Sequence, residues 1–241
     1  MTIQSVCNIE NMHKSYPLQD GVQHIFSDLT LDLPLDGITV LLGKSGCGKT
    51  TLLRLIANLE QPDQGNITFF KNGKQHQPKI GMVFQESRLF PWMSVAENIL
   101  ISRETFNAED AIPYLELVGL DAHDLHSKPD ALSGGMAHRV AIARALAYDP
   151  DILLMDEPFA ALDYFTRMNL QQKILEIQQK TEKTIIFVTH HVDEALLIAD
   201  RILVLDKGKS PISISIPEAY PRQLETDVLV QYKHEILDLL L

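Results

Sequence analysis

Short, continuous apolar runs alternate along this chain with segments whose apolar residues fall on one helical face. "GITVLLG" (37–43) is apolar throughout and closes on glycine, the pattern of a strand buried on both faces. "KTTLLRLIANL" follows and predicts a helix with Leu52, Leu53, Ile56 and Leu59 on one face. "PDQGNITFF" and "KIGMVF" return to strand character, and "DILLMDEP" reads as another buried strand, closed by proline. "KTIIFVTH", "VDEALLIAD" and "RILVLDKG" then predict strand, helix and strand. At the N-terminus "IQSVCNIE" and "QHIFSDLTLDL" alternate partially, as strands do, around the turn-like "SYPLQDGV".

From Ser94 to Ala147 the pattern is mainly helical, with breaks expected at Pro113, Gly119 and Pro129. Within it, "LSGGMAHRVAIARAL" sets a serine and two glycines in front of what reads as an amphipathic helix. The tail from Lys209 predicts a short strand, a proline-marked turn and an amphipathic helix. Strands alternating with helices imply parallel βαβ units. The expected architecture is α/β: a mainly parallel sheet, an N-terminal antiparallel β region and an inserted helical subdomain. We read residues 1–241 as one domain, with the helical subdomain over about 86–150 and a C-terminal strand and helix over about 209–241.

Composition narrows the classes. The chain has 241 residues, 45% of them hydrophobic and 22% charged, ordinary for a soluble globular protein. No window approaches the roughly 18 apolar residues of a membrane span. The first residues lack the basic and apolar regions of a secretory signal. A net charge of −11 argues against broad nucleic-acid binding, which needs Lys and Arg to displace counterions. Cys7 and Cys47 make neither metal-ligand spacing nor a disulfide framework, so reduced thiols are expected. His123 and His126 sit in a polar stretch and read as surface residues.

Gly43-Lys44-Ser45-Gly46-Cys47-Gly48-Lys49-Thr50 fits G-x-x-x-x-G-K-[ST] in the required context of strand before and helix after. Its glycines let the backbone curl so that N–H groups face phosphate oxygens, and the helix dipole adds positive potential. Lys49 would reach the β- and γ-phosphates, the Thr50 hydroxyl would ligate Mg²⁺, and Thr51 extends the nucleotide-binding set. A nucleoside triphosphate is the expected ligand on a P-loop NTPase core. Cys47 lies inside this loop, so alkylation is expected to block activity and nucleotide to protect it. Asp156, at the end of a buried strand, is where a Mg²⁺-associated carboxylate belongs, and Glu157 is placed to polarise an attacking water.

These segments, taken with "FQ" at 84–85, "LSGG" at 132–135, "ILLMDEP" at 152–158, "ALD" at 161–163 and "VTH" at 188–190, occur in the order of an ABC-transporter ATPase, which the whole chain resembles. The resemblance implies ATP and Mg²⁺ as cofactors, and a dimer with two ATP molecules sandwiched between subunits. It implies that Tyr16 stacks on adenine. Gln85 would touch Mg²⁺ and the attacking water, and Asp163 would communicate across the dimer. His190 would contact the γ-phosphate; the family more often has aspartate after this histidine, where this chain has His191. Ser133, Gly134 and Gly135 would bind the partner subunit's ATP. Met136 stands where many members carry glutamine, leaving backbone phosphate contacts intact.

"FQESRLFPWMSVAENI" (84–99) gathers Phe90, Pro91, Trp92 and Met93 into an apolar cluster, readable either as a satellite core or as a groove for a permease helix. With "VTHHVDEALLIADRILVL" it is similar to the nitrate, sulfonate and taurine importer group. That likeness implies an integral membrane permease and, indirectly, an extracytoplasmic solute-binding protein. It also implies a cytoplasmic position on the inner face of the membrane, and no nucleic acid. An exporter ATPase is the nearest alternative. A non-transport ABC ATPase acting on nucleic acid or ribosomes is more distant, lacking here the long insertions and basic surfaces of that kind.

Overall fold

A computed structural model describes residues 5–19, 21–160 and 162–241. Ile3 and Gln4 of the first predicted strand, Asp20 of the predicted turn and Ala161 of the Ala-Leu-Asp motif lie outside the described residues. The chain begins β1 (Ser5–Leu18), β2 (Gly21–Pro34), β3 (Ile38–Gly43), α1 (Lys49–Ile56), β4 (Gln64–Lys71) and β5 (Lys74–Gln75). Next come β6 (Ile80–Val83), α2 (Val95–Ile99), α3 (Ile112–Leu117), α4 (Gly134–Ala147), β7 (Ile152–Asp156) and α5 (Tyr164–Thr181). It ends β8 (Thr184–Thr189), α6 (Val192–Ile198), β9 (Arg201–Leu205), β10 (Ile212–Ser215) and α7 (Asp227–Leu240).

Two units emerge. One joins the chain up to Pro78 with Thr184–Leu241; the other, Lys79–Lys183, is inserted between them in sequence. In the first, β2, β1, β4 and β5 form an antiparallel sheet in that order. A second group pairs β3 in parallel with both β8 and β9, and β10 closes the edge antiparallel to β9. Every residue of β3 and β8 is buried, which is why both read as unbroken apolar runs. The inserted unit holds the parallel pair β6–β7, with α2 and α3 packed on α4, and carries α5. The expected α/β class and N-terminal antiparallel sheet are therefore present.

Four local expectations change. First, β1 runs on through Tyr16 and Pro17 instead of turning at "SYP". Its pairing with β4 ends at His13↔Gln64 while pairing with β2 continues through Pro17↔Val22, so Pro17 sits where the strand has become an edge. Second, α1 stops at Ile56. Asn58 takes the left-handed conformation (φ 56°). The Leu59 and Asn58 amides bond back to the carbonyls of Arg54 (2.9 Å) and Leu55 (3.0 Å), which closes the helix. Leu59 is consequently 56% exposed instead of lining the helical face. Third, Pro113 starts α3 in its first turn and breaks nothing, since a first-turn proline loses no helical hydrogen bond. Fourth, α4 is not amphipathic: Val140, Ala141, Ile142 and Ala143 are consecutive and all buried, so beyond its first turn it is covered nearly all round, with only Arg139 and Arg144 partly exposed.

The C-terminal segment is tied down by Arg222. Its guanidinium is buried and donates to the carbonyls of Leu196 (2.9 Å) and Ala199 (2.6 Å), satisfying the end of α6. The same group donates to Ile216 (2.9 Å) and Glu218 (2.8 Å) and lies 4.2 Å over the Tyr220 ring. Replacing Arg222 by methionine keeps the apolar stem and leaves these buried carbonyls without donors. We expect Arg222→Met to cost on the order of 3 kcal/mol of stability, read as a lower urea midpoint of the full chain. An unchanged midpoint would mean that the carbonyls find other donors.

Candidate functional site

Leaving β3, the backbone has no room for side chains. A Cβ on Gly43 would lie 2.3 Å from the Leu205 carbonyl oxygen and 2.7 Å from the Cys47 sulfur. Gly48 has φ +109°, and a Cβ there would stand 2.7 Å from both Ile25 and Phe26. Gly46 is also left-handed (φ +79°) but faces open space. The loop thus curls as a phosphate cradle must. Within it Lys49 is only 5% exposed, and its ammonium donates to the carbonyls of Gly43 (2.8 Å) and Lys44 (3.1 Å). Those bonds hold a positive charge inside the curl, where phosphate oxygens would meet it.

Cys47 is different from its sequence reading. It is 4% exposed, with its sulfur against Gly43. Burial pushes its thiol up, and the neighbouring Lys49 charge only partly opposes this. Cys7 is also a free buried thiol, pushed up to about 12 by burial and by the Asp32 charge.

In the same unit Tyr16 is half-buried on β1, its hydroxyl donating to Glu60, with Thr51 nearby. Lys14 lies 5.2 Å over the ring. His190 and His191 both lie exposed just past β8, their rings 4.1 Å apart and tilted by 38°. His191 is the N-cap residue of α6, its amide donating to the Thr189 hydroxyl at 3.1 Å. That bond gives His191 a structural position and leaves His190 as the residue immediately after the strand.

In the inserted unit, β7 is buried throughout and ends at Asp156. Glu157 follows with φ +43°, a conformation that costs a non-glycine residue about 1 kcal/mol or more and is further disfavoured before Pro158. Such strain concentrates where a side chain must be held in a particular place. Gln85 is exposed in the bend after β6. Arg144, near the end of α4, donates to the carbonyls of Ser87 (3.0 Å) and Arg88 (2.8 Å) and pins the chain just beyond Gln85. Buried Asn98 accepts from the Phe90 amide (2.8 Å) and donates to the carbonyls of Phe90, Met93 and Ser94, fixing the next turn. Trp92 is held 66% exposed by that turn, with the Phe90 ring 5.5 Å away. The cluster is a surface feature and not a satellite core at Trp92.

At the start of α4 the Ser133 hydroxyl accepts from the Met136 amide (3.3 Å) as an N-cap. Among the described residues, a Cβ on Gly134 would meet nothing within 4 Å, and one on Gly135 only ordinary contacts with Leu162 (3.4 Å) and Thr166 (3.7 Å). Asp163 caps α5, accepting from the amides of Phe165 and Thr166 (3.1 Å each) and from the Thr166 hydroxyl (2.6 Å). The hydrogen bonds from Thr166 chiefly hold its carboxyl below the usual range.

Residues 26–160 match the family model described as ABC transporter. The chain belongs to the ABC transporter family. Among curated ABC relatives, an aliphatic sulfonates import ATP-binding protein (SsuB) of Bacillus thuringiensis subsp. konkukian is 38% identical, covering 94% of this chain and 96% of that protein. The corresponding SsuB 1 of Pseudomonas fluorescens is 44% identical over 90% of this chain and 82% of its own. Among solved structures, a dimeric post-hydrolysis ABC cassette, MJ0796 with ADP and Pi, superposes with a TM-score of 0.77 at 29% identity. That match covers 88% of this chain and all of the other. The chain is thus an ABC-type ATPase.

Three of the supporting residues, Asn98, Arg144 and Glu60, escape the motif reading because each acts on backbone or on another side chain. An asparagine among apolar helical residues is the one signal Asn98 offers. The burial of Cys47 yields a measurable expectation: iodoacetamide should label it slowly in the folded chain, with or without ATP, and readily in urea. Rapid labelling of the folded protein, suppressed by ATP, would restore the exposed-thiol reading.

Proposed function

We propose that this chain is the ATP-binding and ATP-hydrolysing subunit of an ABC importer, and that two copies close around two ATP molecules to drive solute through a membrane permease. One observation carries the reading: Gly134 and Gly135 open a helix although packing among the described residues demands neither. With no side chain at either position, the first turn of α4 stays open to a close approach from outside. The triphosphate held by a second copy is such a visitor, received by the first α4 amides and the Ser133 hydroxyl. The dimeric MJ0796 cassettes support this.

In each copy the loop amides and Lys49 hold the phosphates, and Tyr16 stacks on adenine. Glu157 accepts a hydrogen bond from the attacking water and draws off its proton as ADP and phosphate form. His190 donates to the γ-phosphate, and Gln85 orients the water. Thr50, Gln85 and Asp156 supply oxygen ligands only, the donor set that suits Mg²⁺, which when bound neutralises phosphate charge. Asp163 carries the dimer contact to the cap of α5. ATP favours the closed dimer through contacts that the open state lacks, and hydrolysis removes them.

The surface turn carrying Phe90 and Trp92 is the seat for a cytoplasmic helix of the permease, close in sequence to Gln85. The similarity to aliphatic sulfonates import ATP-binding proteins supports import of sulfonate-like solutes; an extracytoplasmic solute-binding protein would deliver them. The subunit then sits at the inner face of the membrane.

Glu157→Gln is expected to bind ATP, run as a dimer on gel filtration and lose hydrolysis by about 100-fold or more; wild-type turnover would remove Glu157 as the base. Ser133→Arg should abolish turnover in the assembled transporter, whereas Met136→Gln should alter apparent ATP affinity only modestly. Turnover surviving Ser133→Arg would contradict the shared site.

A further inference from the structure

We infer that Glu60 is a positioning residue for nucleotide recognition: it orients Tyr16 as the base platform and ties that platform to the phosphate-binding helix. The inference rests on the reading of Tyr16 as the adenine-stacking residue. The Tyr16 hydroxyl donates to one carboxylate oxygen of Glu60, while the other accepts from Arg54 of α1 at 3.2 Å. Thr51, in the first turn of α1, stands close enough to the same hydroxyl to act on its acidity. Tyr16 therefore neighbours the phosphate-binding helix near its start and reaches, through Glu60, the segment that folds back from its end.

That segment is rigid for reasons already visible in its backbone. The left-handed Asn58 ends α1, and the amides of both Leu59 and Glu60 return to the Arg54 carbonyl (2.9 and 3.3 Å). Gln61 donates to the Asn58 side chain at 2.6 Å. The Gln61 carbonyl accepts from Lys14 (2.8 Å), and Asp63 accepts from the Ser15 amide (2.7 Å), so residues 60–63 also grip β1 just before Tyr16. Lys14, thus anchored, lies 5.2 Å from the centre of the Tyr16 ring. Burial and the Glu60 carboxylate hold the phenol proton in place, keeping Tyr16 a donor.

Fixing an aromatic ring in advance removes ordering cost from binding, and the gain falls on the base, not on the phosphates. In the full-length ATPase, Glu60→Leu should raise the KM for ATP about tenfold, a size set by base–aromatic stacking, with kcat within about twofold of wild type. Inhibition by inorganic tripolyphosphate, which has phosphates and no base, should be unchanged. Glu60→Gln, which still accepts from the phenol, should recover most of the affinity. In a Tyr16→Phe background, Glu60→Leu should add little. Equal weakening of ATP and tripolyphosphate would overturn the inference, showing that Glu60 merely supports the helix. An unchanged KM in Glu60→Leu, alongside a raised KM in Tyr16→Ala, would overturn it while sparing the stacking role. An unchanged KM in Tyr16→Ala would remove the stacking role itself.

Discussion

The Lys49 ammonium is drawn out of water and held by the carbonyls of Gly43 and Lys44, and much of the first unit follows from that arrangement. For the carbonyls to converge, the backbone must leave β3 without a side chain at Gly43, where the Leu205 carbonyl already fills the space. It must re-enter a helix at Gly48 in a left-handed conformation, beneath Ile25 and Phe26 of β2. The end of β9 and a stretch of β2 are therefore part of the cradle. The packing also explains a cysteine in the middle of a phosphate loop, since the Cys47 sulfur is turned against Gly43.

The inserted unit is organised around a different constraint, the nearly complete burial of α4 beyond its first turn. A helix covered nearly all round has its two ends as the main places where polar groups emerge. Its start presents Ser133 and two unhindered glycines; near its end, Arg144 reaches the carbonyls of Ser87 and Arg88. One rigid rod thus connects the helix start proposed to meet a second copy's ATP with the chain just past Gln85. Asn98 continues the connection into the turn that displays Trp92. In each case a polar side chain bonds to backbone groups, which positions a loop without covering its surface.

Much of this was legible beforehand. The buried strands read correctly because full burial leaves a continuous apolar run, and the phosphate loop because its glycine spacing follows from close backbone approach. What misled were signals that depend on a neighbour. "SYP" reads as a turn in isolation, yet β2 alone pairs with β1 there, which makes proline acceptable. Pro113 reads as a break because its position in the helix cannot be known until the start of the helix is. Leu59 satisfies the apolar period of α1, but Asn58 and the carbonyl of Arg54 close the helix first. "RVAIARALA" appears two-sided because alanine is acceptable on either face.

By itself, the sequence determined the family motifs and with them the candidate residues: the lysine and hydroxyls of the loop, the Asp156–Glu157 pair, the capped glycines and the histidine after β8. These depend on local spacing, and local spacing is written in the chain. Only the tertiary structure decided which of them are reachable and how they are held. It buried Cys47, exposed Trp92, gave His191 rather than His190 the helix cap, and brought Glu60 to Tyr16 across 44 residues of chain. Those outcomes turn on which atoms fill the space beside a group, and that space is enclosed by segments distant in sequence.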